Sequence, residues 1–131
     1  MKRTALLHAE LSRAIASLGH GDMIAIGDAG LPVPAGPLRI DLALTPGIPR
    51  VADVLRVVLS EMQVERAVVA KEALDAHDGR LPDWCDGLLP VAPEAMWHVD
   101  FKRLSAQAKA VVRTGECTPY ANIILIAGVS F

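Results

Sequence analysis

Apolar positions along the chain follow two alternating spacings. Apolar residues three or four positions apart predict a first helix that ends before Gly19 and a second helix over residues 51–62. The same spacing predicts a third helix over residues 101–111, with Asp100 as its N-cap. The three apolar stripes consist of Leu7, Leu11, Ile15 and Leu18, of Val51, Val54, Leu55, Val58 and Met62, and of Phe101, Leu104, Ala108 and Val111.

Short segments between these stripes predict β-strands over residues 22–27, 39–44, 64–70, 95–99 and 123–127. Within the third of these, residues 67–70 form a continuous apolar run of the kind found in strands that are covered on both faces. Proline and glycine interrupt residues 72–96, where the pattern weakens and no long element is predicted. Because helix and strand alternate over residues 1–131 without a linker or repeat, the pattern predicts one α/β domain. We expect a layered α/β sandwich with a largely buried sheet covered by helices.

The composition of the chain excludes several classes of protein. Apolar residues make up 52% of the 131 positions, so the chain has enough material for one core and is not disordered. Lys and Arg number 13 against 15 Asp and Glu, and this net charge of −2 gives no basic surface for phosphate backbones. Two Trp, two Phe and one Tyr are too few for a base-stacking surface. We therefore expect an aliphatic core and no nucleic-acid partner.

The distribution of cysteine and charge indicates a cytoplasmic protein. Cys85 and Cys117 lie too far apart for a local redox or zinc pair and suit a reducing compartment. Residues 1–10 lack the apolar stretch of a signal peptide, and the longest uncharged run, residues 118–131, is shorter than the ~18 residues of a membrane span. A mean hydropathy of +0.35 without a membrane span indicates apolar surface buried between subunits, and hence a homo-oligomer.

Polar residues near the ends of the predicted strands are the candidates for chemistry, because ligands of open α/β sheets collect there. His20 lies between two glycines after the first helix, Asp28 follows a buried strand, and His98 stands at another strand end. Residues 119–122 form the loop before the last strand. Each of these also has an ordinary role, such as a helix-terminal histidine or an Asx turn. Their convergence on one small sheet favours a shared site.

Other chemistries have weaker support in the sequence. A metal site built from His20, His98 and Asp28 is conceivable, but no H-x-x-x-H or C-x-x-C pair supports it, and we expect no metal or other cofactor. Cys117 can act as a nucleophile only if a base reaches it in the fold. Residues 27–30 have neither the G-x-G-x-x-G nor the GK[ST] pattern of a phosphate-binding loop.

Sequence blocks spread over nearly the whole chain carry a resemblance to a known family. They are Leu18-Gly19-His20-Gly21-Asp22, Asp28-Ala29-Gly30-Leu31-Pro32-Val33-Pro34, Ile40-Asp41, Glu61-Met62-Gln63-Val64-Glu65 and Gly115-Glu116-Cys117-Thr118-Pro119-Tyr120-Ala121-Asn122-Ile123-Ile124-Leu125. In this order they resemble the D-ribose pyranases. The resemblance implies a cofactor-independent isomerase that interconverts the pyranose and furanose forms of D-ribose in the cytoplasm. It also implies a ring of dimers with sites near subunit contacts.

The resemblance also assigns roles to individual residues. It makes His20 the catalytic proton donor, and it implies a set of sugar-binding residues that consists of Asp28, His98, Tyr120, Ala121 and Asn122. The sister family of fucose mutarotases is similar around His20, but it lacks the Gly-Leu-Pro pattern of residues 30–32 and usually has arginine at the position of His98. Both differences favour a ribose pyranase. A fucose-type mutarotase and a non-catalytic oligomeric sugar-binding protein are the alternatives.

The residue types suit this reaction. Opening a cyclic hemiacetal requires a base for the anomeric hydroxyl and an acid for the ring oxygen, and histidine serves both purposes near neutral pH. We expect His20 to exchange the proton and Asp28 to orient the sugar or the imidazole. The remaining hydroxyls are then held by His98, Tyr120 and Asn122, since a site built to bond hydroxyls penalises ligands that lack them.

Overall fold

The computed structural model describes residues 1–131 as four helices and six strands. The helices are α1 (Ala9–Ala16), α2 (Val51–Leu59), α3 (Lys71–Asp75) and α4 (His98–Ser105). The strands are β1 (Met23–Gly27), β2 (Leu38–Asp41), β3 (Val64–Ala70), β4 (Glu94–Met96), β5 (Ala110–Arg113) and β6 (Ile123–Ala127). None of the four helices has the length and apolar character needed to cross a membrane.

The strands form one mixed sheet in the order β2-β5-β1-β6-β3-β4. Strand β6, the last in the chain, lies inside the sheet and runs antiparallel to both of its neighbours, β1 and β3. All other neighbouring strands pair in parallel. The first five strands therefore end on one side of the sheet, which we call the carboxyl side, and begin on the opposite side, which we call the amino side.

The sheet separates two hydrophobic cores, because successive side chains of a strand point to opposite faces. Ile24 and Ile26 of β1 belong to the larger core, which also includes side chains of α1, α2 and α3. Ala25 of β1 belongs to the smaller core, with Phe101 of α4 and Leu31. Both cores are mainly aliphatic. The predicted α/β sandwich, with a buried sheet covered by helices, is confirmed.

The strand predictions over residues 64–70 and 123–127 coincide with β3 and β6. The first two helices begin near their predicted positions but end earlier, and a serine follows each of them. The hydroxyls of Ser17 and Ser60 donate to backbone carbonyls three residues earlier, at 2.8 and 2.7 Å. Such side-chain bonds satisfy carbonyls that a helix terminus leaves unpaired. The residues that follow then turn toward β1 and β3.

The predicted third helix over residues 101–111 is wrong in its second half. Helix α4 ends at Ser105, whose hydroxyl donates to the carbonyl three residues earlier at 2.8 Å. The chain then forms β5, which lies between β2 and β1. Phe101 and Val111 belong to the same smaller core, so their helical spacing reflects one packing surface that a helix and a strand share. The consecutive valines of β5 favour the strand.

The segment over residues 72–96 contains two short elements that the sequence pattern did not predict in this form. Helix α3 follows β3 directly, and β4 is shorter than the strand predicted over residues 95–99. His98 is therefore the first residue of α4 and not the end of a strand. Asp100 lies in the first turn of α4, and the N-cap is Trp97, so the cap prediction is wrong.

Candidate functional site

The predicted site residues lie on two opposite sides of the sheet. Asp28, His98 and the loop over residues 119–122 lie on the carboxyl side, whereas His20 precedes β1 and lies on the amino side. Between them β1 spans five residues, which at ~3.3 Å per residue amounts to about 16 Å. The expectation that His20 joins the other residues is therefore not met within one chain.

Asp28 belongs to the carboxyl-side cluster, which we define as Asp28, His98, Tyr120 and Asn122. Its backbone N–H donates to Oδ1 of Asn122 at 2.8 Å. Its own Oδ1 accepts from the backbone N–H of Gly30 at 2.9 Å, which forms an Asx turn. The other carboxylate oxygen, Oδ2, has no hydrogen-bond partner in the chain. Asp28 thus has an ordinary turn-forming role and still offers one acceptor to a ligand.

Asn122 organises the cluster from a buried position, with 1% of the residue exposed. Since its Oδ1 accepts from Asp28, its Nδ2 is the atom that faces Nε2 of His98, at 3.3 Å. An amide nitrogen only donates, so Nε2 of His98 accepts and the proton of the neutral imidazole is assigned to Nδ1. Asn122 therefore leaves the Nδ1–H of His98 as a donor for a ligand.

His98 is held at the start of α4 by Glu72 of α3. Both carboxylate oxygens of Glu72 accept from the backbone N–H of His98, at 3.1 and 2.9 Å. The imidazole stacks on Phe101, with 5.9 Å between ring centroids. Burial lowers the pKa of His98 from the ordinary value of 6.5, and the Lys102 ammonium lowers it further. The carboxylates of Glu72 and Asp28 oppose this effect without cancelling it, so His98 is neutral at neutral pH.

Acidification is expected to disrupt the cluster only below pH 6.5, the ordinary value of a histidine. Because the folded pKa of His98 is lowered, the unfolded chain takes up this proton first as the pH falls. The contribution of neutral His98 to the stability of the fold is therefore complete above pH 6.5, and it decreases as the pH falls below that value. Protonated His98 cannot accept from the amide of Asn122, so a ligand held by this cluster is expected to bind more weakly once His98 is protonated.

An NMR titration of the His98 ring protons, with ribose affinity measured over the same pH series, checks this expectation. Titration of His98 at or above 6.5 would contradict it.

Tyr120 adopts a left-handed backbone conformation with φ at 62°, which a tyrosine rarely does. Its ring meets the imidazole of His98 edge-on, with 5.1 Å between centroids. The residue is 37% exposed, and its hydroxyl has no hydrogen-bond partner in the chain. The neighbouring Ala121 is fully buried in the larger core, so only its backbone is available to a ligand. Backbone strain of this kind concentrates at functional positions.

His20 occupies a tight turn on the amino side. The N–H of Asp22 donates to the carbonyl three residues earlier at 3.1 Å, and Gly21 has φ at +82°, as the third position of a type II turn requires. The N–H of Gly21 also donates to the carbonyl of Ala127 at 2.8 Å, which fixes the turn to β6. The side chain of His20 is 61% exposed, and its Nε2 lies 2.8 Å from Oε2 of Glu65.

Three residues around these sites were missed by the sequence analysis. Glu72 holds the first turn of α4, Glu65 contacts the catalytic candidate, and Gly27 makes room for the cluster. A methyl group on Gly27 would lie 2.8 Å from Oδ1 of Asn122 and would overlap the side chain of Leu31. Glycine inside a buried strand is a usual sign of a close approach, so this role had a signal in the sequence. Glu65 ends one of the sequence blocks that carry the resemblance, whereas Glu72 had no signal in the sequence.

The cluster lies on an open surface of the single chain. The largest cavity, about 650 Å³, lies elsewhere, beside Trp84 and Glu116, and contains no residue of the cluster. No group of three or more His, Cys, Asp or Glu side chains is arranged to hold a metal ion. The thiol of Cys117 bonds to the carbonyl of Gly115 at 3.5 Å, and no histidine is bonded to it.

The fold and the cluster define a class: small α/β proteins that present hydrogen-bonding side chains on the carboxyl side of a largely buried sheet. The chain belongs to the RbsD / FucU transport protein family, whose model matches residues 1–130. The resemblance carried by the sequence blocks is therefore confirmed at the level of the family.

Individual relatives agree with this family. The chain is 73% identical over 132 residues to a D-ribose pyranase of Variovorax paradoxus, with 100% of both chains covered. The solved structure of Bacillus subtilis RbsD complexed with D-ribose matches with a TM-score of 0.90 and 45% identity, again over 100% of both chains. A fucose mutarotase from Streptococcus pneumoniae in complex with L-fucose has a TM-score of 0.73 at 22% identity over 100% of both chains, which shows a shared fold alone.

Proposed function

We propose that this chain is a D-ribose pyranase, an isomerase that interconverts the pyranose and furanose forms of D-ribose. One observation carries the proposal: in the carboxyl-side cluster, Asp28, His98 and Tyr120 each keep a hydrogen-bonding atom free of protein partners. Identity of 73% to a D-ribose pyranase over the full length of both chains supports the same substrate. Residues 1–131 act in this reaction as one domain.

The reaction consists of two proton transfers and one bond exchange at C1 of the sugar. On ring opening, a base removes the proton of the C1 hydroxyl, the bond from C1 to the ring oxygen breaks, and an acid protonates that oxygen. The open aldehyde then closes through a different hydroxyl, and both transfers are reversed. Histidine can both donate and accept near neutral pH, and we assign this exchange to the exposed imidazole of His20. The reaction is redox-neutral and requires no cofactor.

The cluster supplies the groups that hold the sugar. Oδ2 of Asp28 accepts from one hydroxyl, the Nδ1–H of His98 donates to another, and the hydroxyl of Tyr120 can do either. Ala121 contributes backbone, and Asn122 sets the orientation of both Asp28 and His98. Because several polar groups are left unpaired when a hydroxyl is missing, such a site discriminates strongly against deoxy sugars.

His20 and the cluster can form one site only between two copies of the chain, because within one chain they lie at opposite ends of β1, which is about 16 Å long. Exposed apolar side chains flank both sides of the sheet: Trp97 and Val99 on the carboxyl side, Val129 and Phe131 on the amino side. A contact that joins the amino side of one copy to the carboxyl side of the next is heterologous, and repeated contacts of this kind form a ring when the rotation between copies closes. We propose a homo-oligomer, a ring of dimers, with sites at these contacts.

A cytoplasmic location fits the chemistry of the two cysteines. Cys85 and Cys117 are both free thiols, as is usual in a reducing compartment. Burial raises the pKa of Cys85 to about 12, and nearby Asp86 adds to the effect, so this thiol is unreactive at neutral pH.

The test of the proposed function is magnetisation exchange between the ring forms of D-ribose, measured by NMR with and without the protein. We expect the exchange rate to rise in proportion to protein concentration. If ribose binds but its ring forms still exchange at the rate measured in buffer, the protein is a non-catalytic sugar-binding protein instead. L-fucose measured under the same conditions separates the sister activities, since a larger acceleration with L-fucose would favour a fucose-type mutarotase.

Replacing Tyr120 with phenylalanine is expected to weaken ribose binding about three- to tenfold, the value of one hydrogen bond to a neutral group. The substitution keeps the ring against His98 and keeps the same backbone conformation, so the free energy of unfolding should change by less than about 0.5 kcal/mol. Calorimetric titration with ribose and urea unfolding check the two parts. Equal loss of stability and affinity would show that the hydroxyl acts in folding instead.

A further inference from the structure

The imidazole of His20 has one charged partner in the chain. Its Nε2 lies 2.8 Å from Oε2 of Glu65, and its Nδ1 makes no hydrogen bond. The nearer carboxylate in sequence, Asp22, is engaged elsewhere: it accepts from the N–H of Gly19 at 2.9 Å and pairs with Lys109 at 3.7 Å. Glu65 is therefore the carboxylate that faces His20.

The backbone around Glu65 is shaped to present this side chain. In the pairing of β3 with β6, Val64 faces Ala127 and Arg66 faces Ile126, so Glu65 is the extra residue of a β-bulge. Bulges re-aim side chains and are frequent beside active sites. A regular strand would direct Glu65 differently.

Two neighbouring residues, Gly128 and Arg66, leave the side chain of Glu65 free to contact His20. A methyl group on Gly128 would lie 3.0 Å from Cβ of Glu65, closer than most such contacts, so the glycine provides the space that the glutamate uses. The adjacent Arg66 forms two bonds with Glu94, at 2.8 and 3.0 Å, and is thereby kept from pairing with Glu65.

A carboxylate only accepts hydrogen bonds, so the contact with Glu65 requires a proton on Nε2 of His20. In the neutral imidazole the other nitrogen, Nδ1, is then the acceptor. The same logic operates where a carboxylate fixes the tautomer of a catalytic histidine in hydrolases. The geometry thus selects one of the two ring nitrogens for exchange with a ligand.

We propose that Glu65 is the positioning residue of the reaction: it orients His20 and leaves Nδ1 as the nitrogen that exchanges the proton with the sugar. When the sugar opens, Nδ1 takes the proton of the C1 hydroxyl, and the imidazolium returns a proton to the ring oxygen. The Nε2–H stays on its nitrogen and stays bonded to Glu65 throughout. This inference rests on the proposed function, in which His20 is the catalytic residue.

The test compares Glu65→Ala with Glu10→Ala, which removes an exposed glutamate in the first turn of α1 that contacts neither His20 nor Glu65. We expect Glu65→Ala to lower kcat for ribose ring exchange about tenfold or more while KM changes less than about threefold, because His20 loses its orientation and the sugar-binding cluster is untouched. The Glu10→Ala variant should keep kcat within about twofold of wild type. A kcat for Glu65→Ala within about twofold of wild type would overturn the proposal.

A second measurement does not depend on catalysis. Two-bond ¹H–¹⁵N spectra of the wild-type protein report which nitrogen of neutral His20 carries the proton. We expect the proton on Nε2 in wild type and a mixture of both tautomers in Glu65→Ala. A wild-type proton on Nδ1 refutes the assignment even if the protein is active. If the wild-type protein does not accelerate ring exchange, the proposed function is refuted. The tautomer of His20 would still show whether Glu65 orients the imidazole.

Discussion

Replacing His20 with alanine should slow ribose ring exchange at saturating sugar by about a hundred- to ten-thousand-fold, the contribution of one positioned acid or base. The fold should be unaffected, because the side chain is 61% exposed and its only polar partner is Glu65 on the surface. Ribose affinity should remain close to that of wild type, since we assign the binding of the sugar to the carboxyl-side cluster. The measurement is NMR exchange together with calorimetric titration and urea unfolding.

The same variant tests whether the site is shared between copies of the chain. Subunits with His20→Ala keep an intact cluster, and subunits with Asp28→Asn keep an intact His20. After the two are refolded together in equal amounts, about one site in four combines both intact halves if the contact is heterologous. Activity should therefore return to about a quarter of wild type. A chain that carries both changes is the control and should stay inactive, and no recovery in the mixture would rule out a shared site.

Replacing Gly27 with alanine is the second change with a large expected effect. The added methyl group would overlap Leu31, which is buried in the smaller core, and would press on Oδ1 of Asn122. Overpacking of this kind costs about 1 to 3 kcal/mol of stability. Displacement of Asn122 also releases Asp28 and His98 from their fixed positions, so ribose binding should be lost even where the variant remains folded.

Gly30→Ala provides the matched control for this prediction. A methyl group at Gly30 would lie 3.5 Å from Oδ1 of Asp28, an ordinary contact, in the same loop as Leu31. Its free energy of unfolding should stay within about 0.5 kcal/mol of wild type. Urea unfolding and calorimetric titration of both variants give the comparison. Wild-type stability and affinity in Gly27→Ala would show that the loop accommodates the methyl group.

The apolar runs in β3 and β6 predicted these strands correctly. A short run that is apolar at every position is typical of a strand that is covered on both faces, as β6 is. Helical spacing failed over residues 101–111, where α4 and β5 line the same core. The spacing of apolar residues shows that they pack against the same core. It does not show whether they belong to one helix or to a helix and a strand. The strand predicted over residues 95–99 is the shorter β4 in the structure, and α3 had no pattern long enough to detect.

The sequence predicted which residues are candidates for the site, but it did not predict that they lie on two opposite sides of the sheet. Asp28, Tyr120 and Asn122 follow or precede strands that meet on the carboxyl side, so the strand-end argument brings them together. His20 is separated from them because it precedes β1, and neither spacing nor composition states the direction in which strands run. Glu65 depends on a β-bulge, which is a property of the paired backbone and leaves no mark on a single sequence.

The central position of β6 also has a consequence for synthesis of the protein. Until residues 123–127 have left the ribosome, the strands can pair only as two separate groups, β2-β5-β1 and β3-β4, each with an open edge. Unpaired edges of this kind invite aggregation. A premature stop codon or a proteolytic cut before Ile123 therefore yields two disconnected half-sheets with exposed edges, and not a smaller version of the same fold.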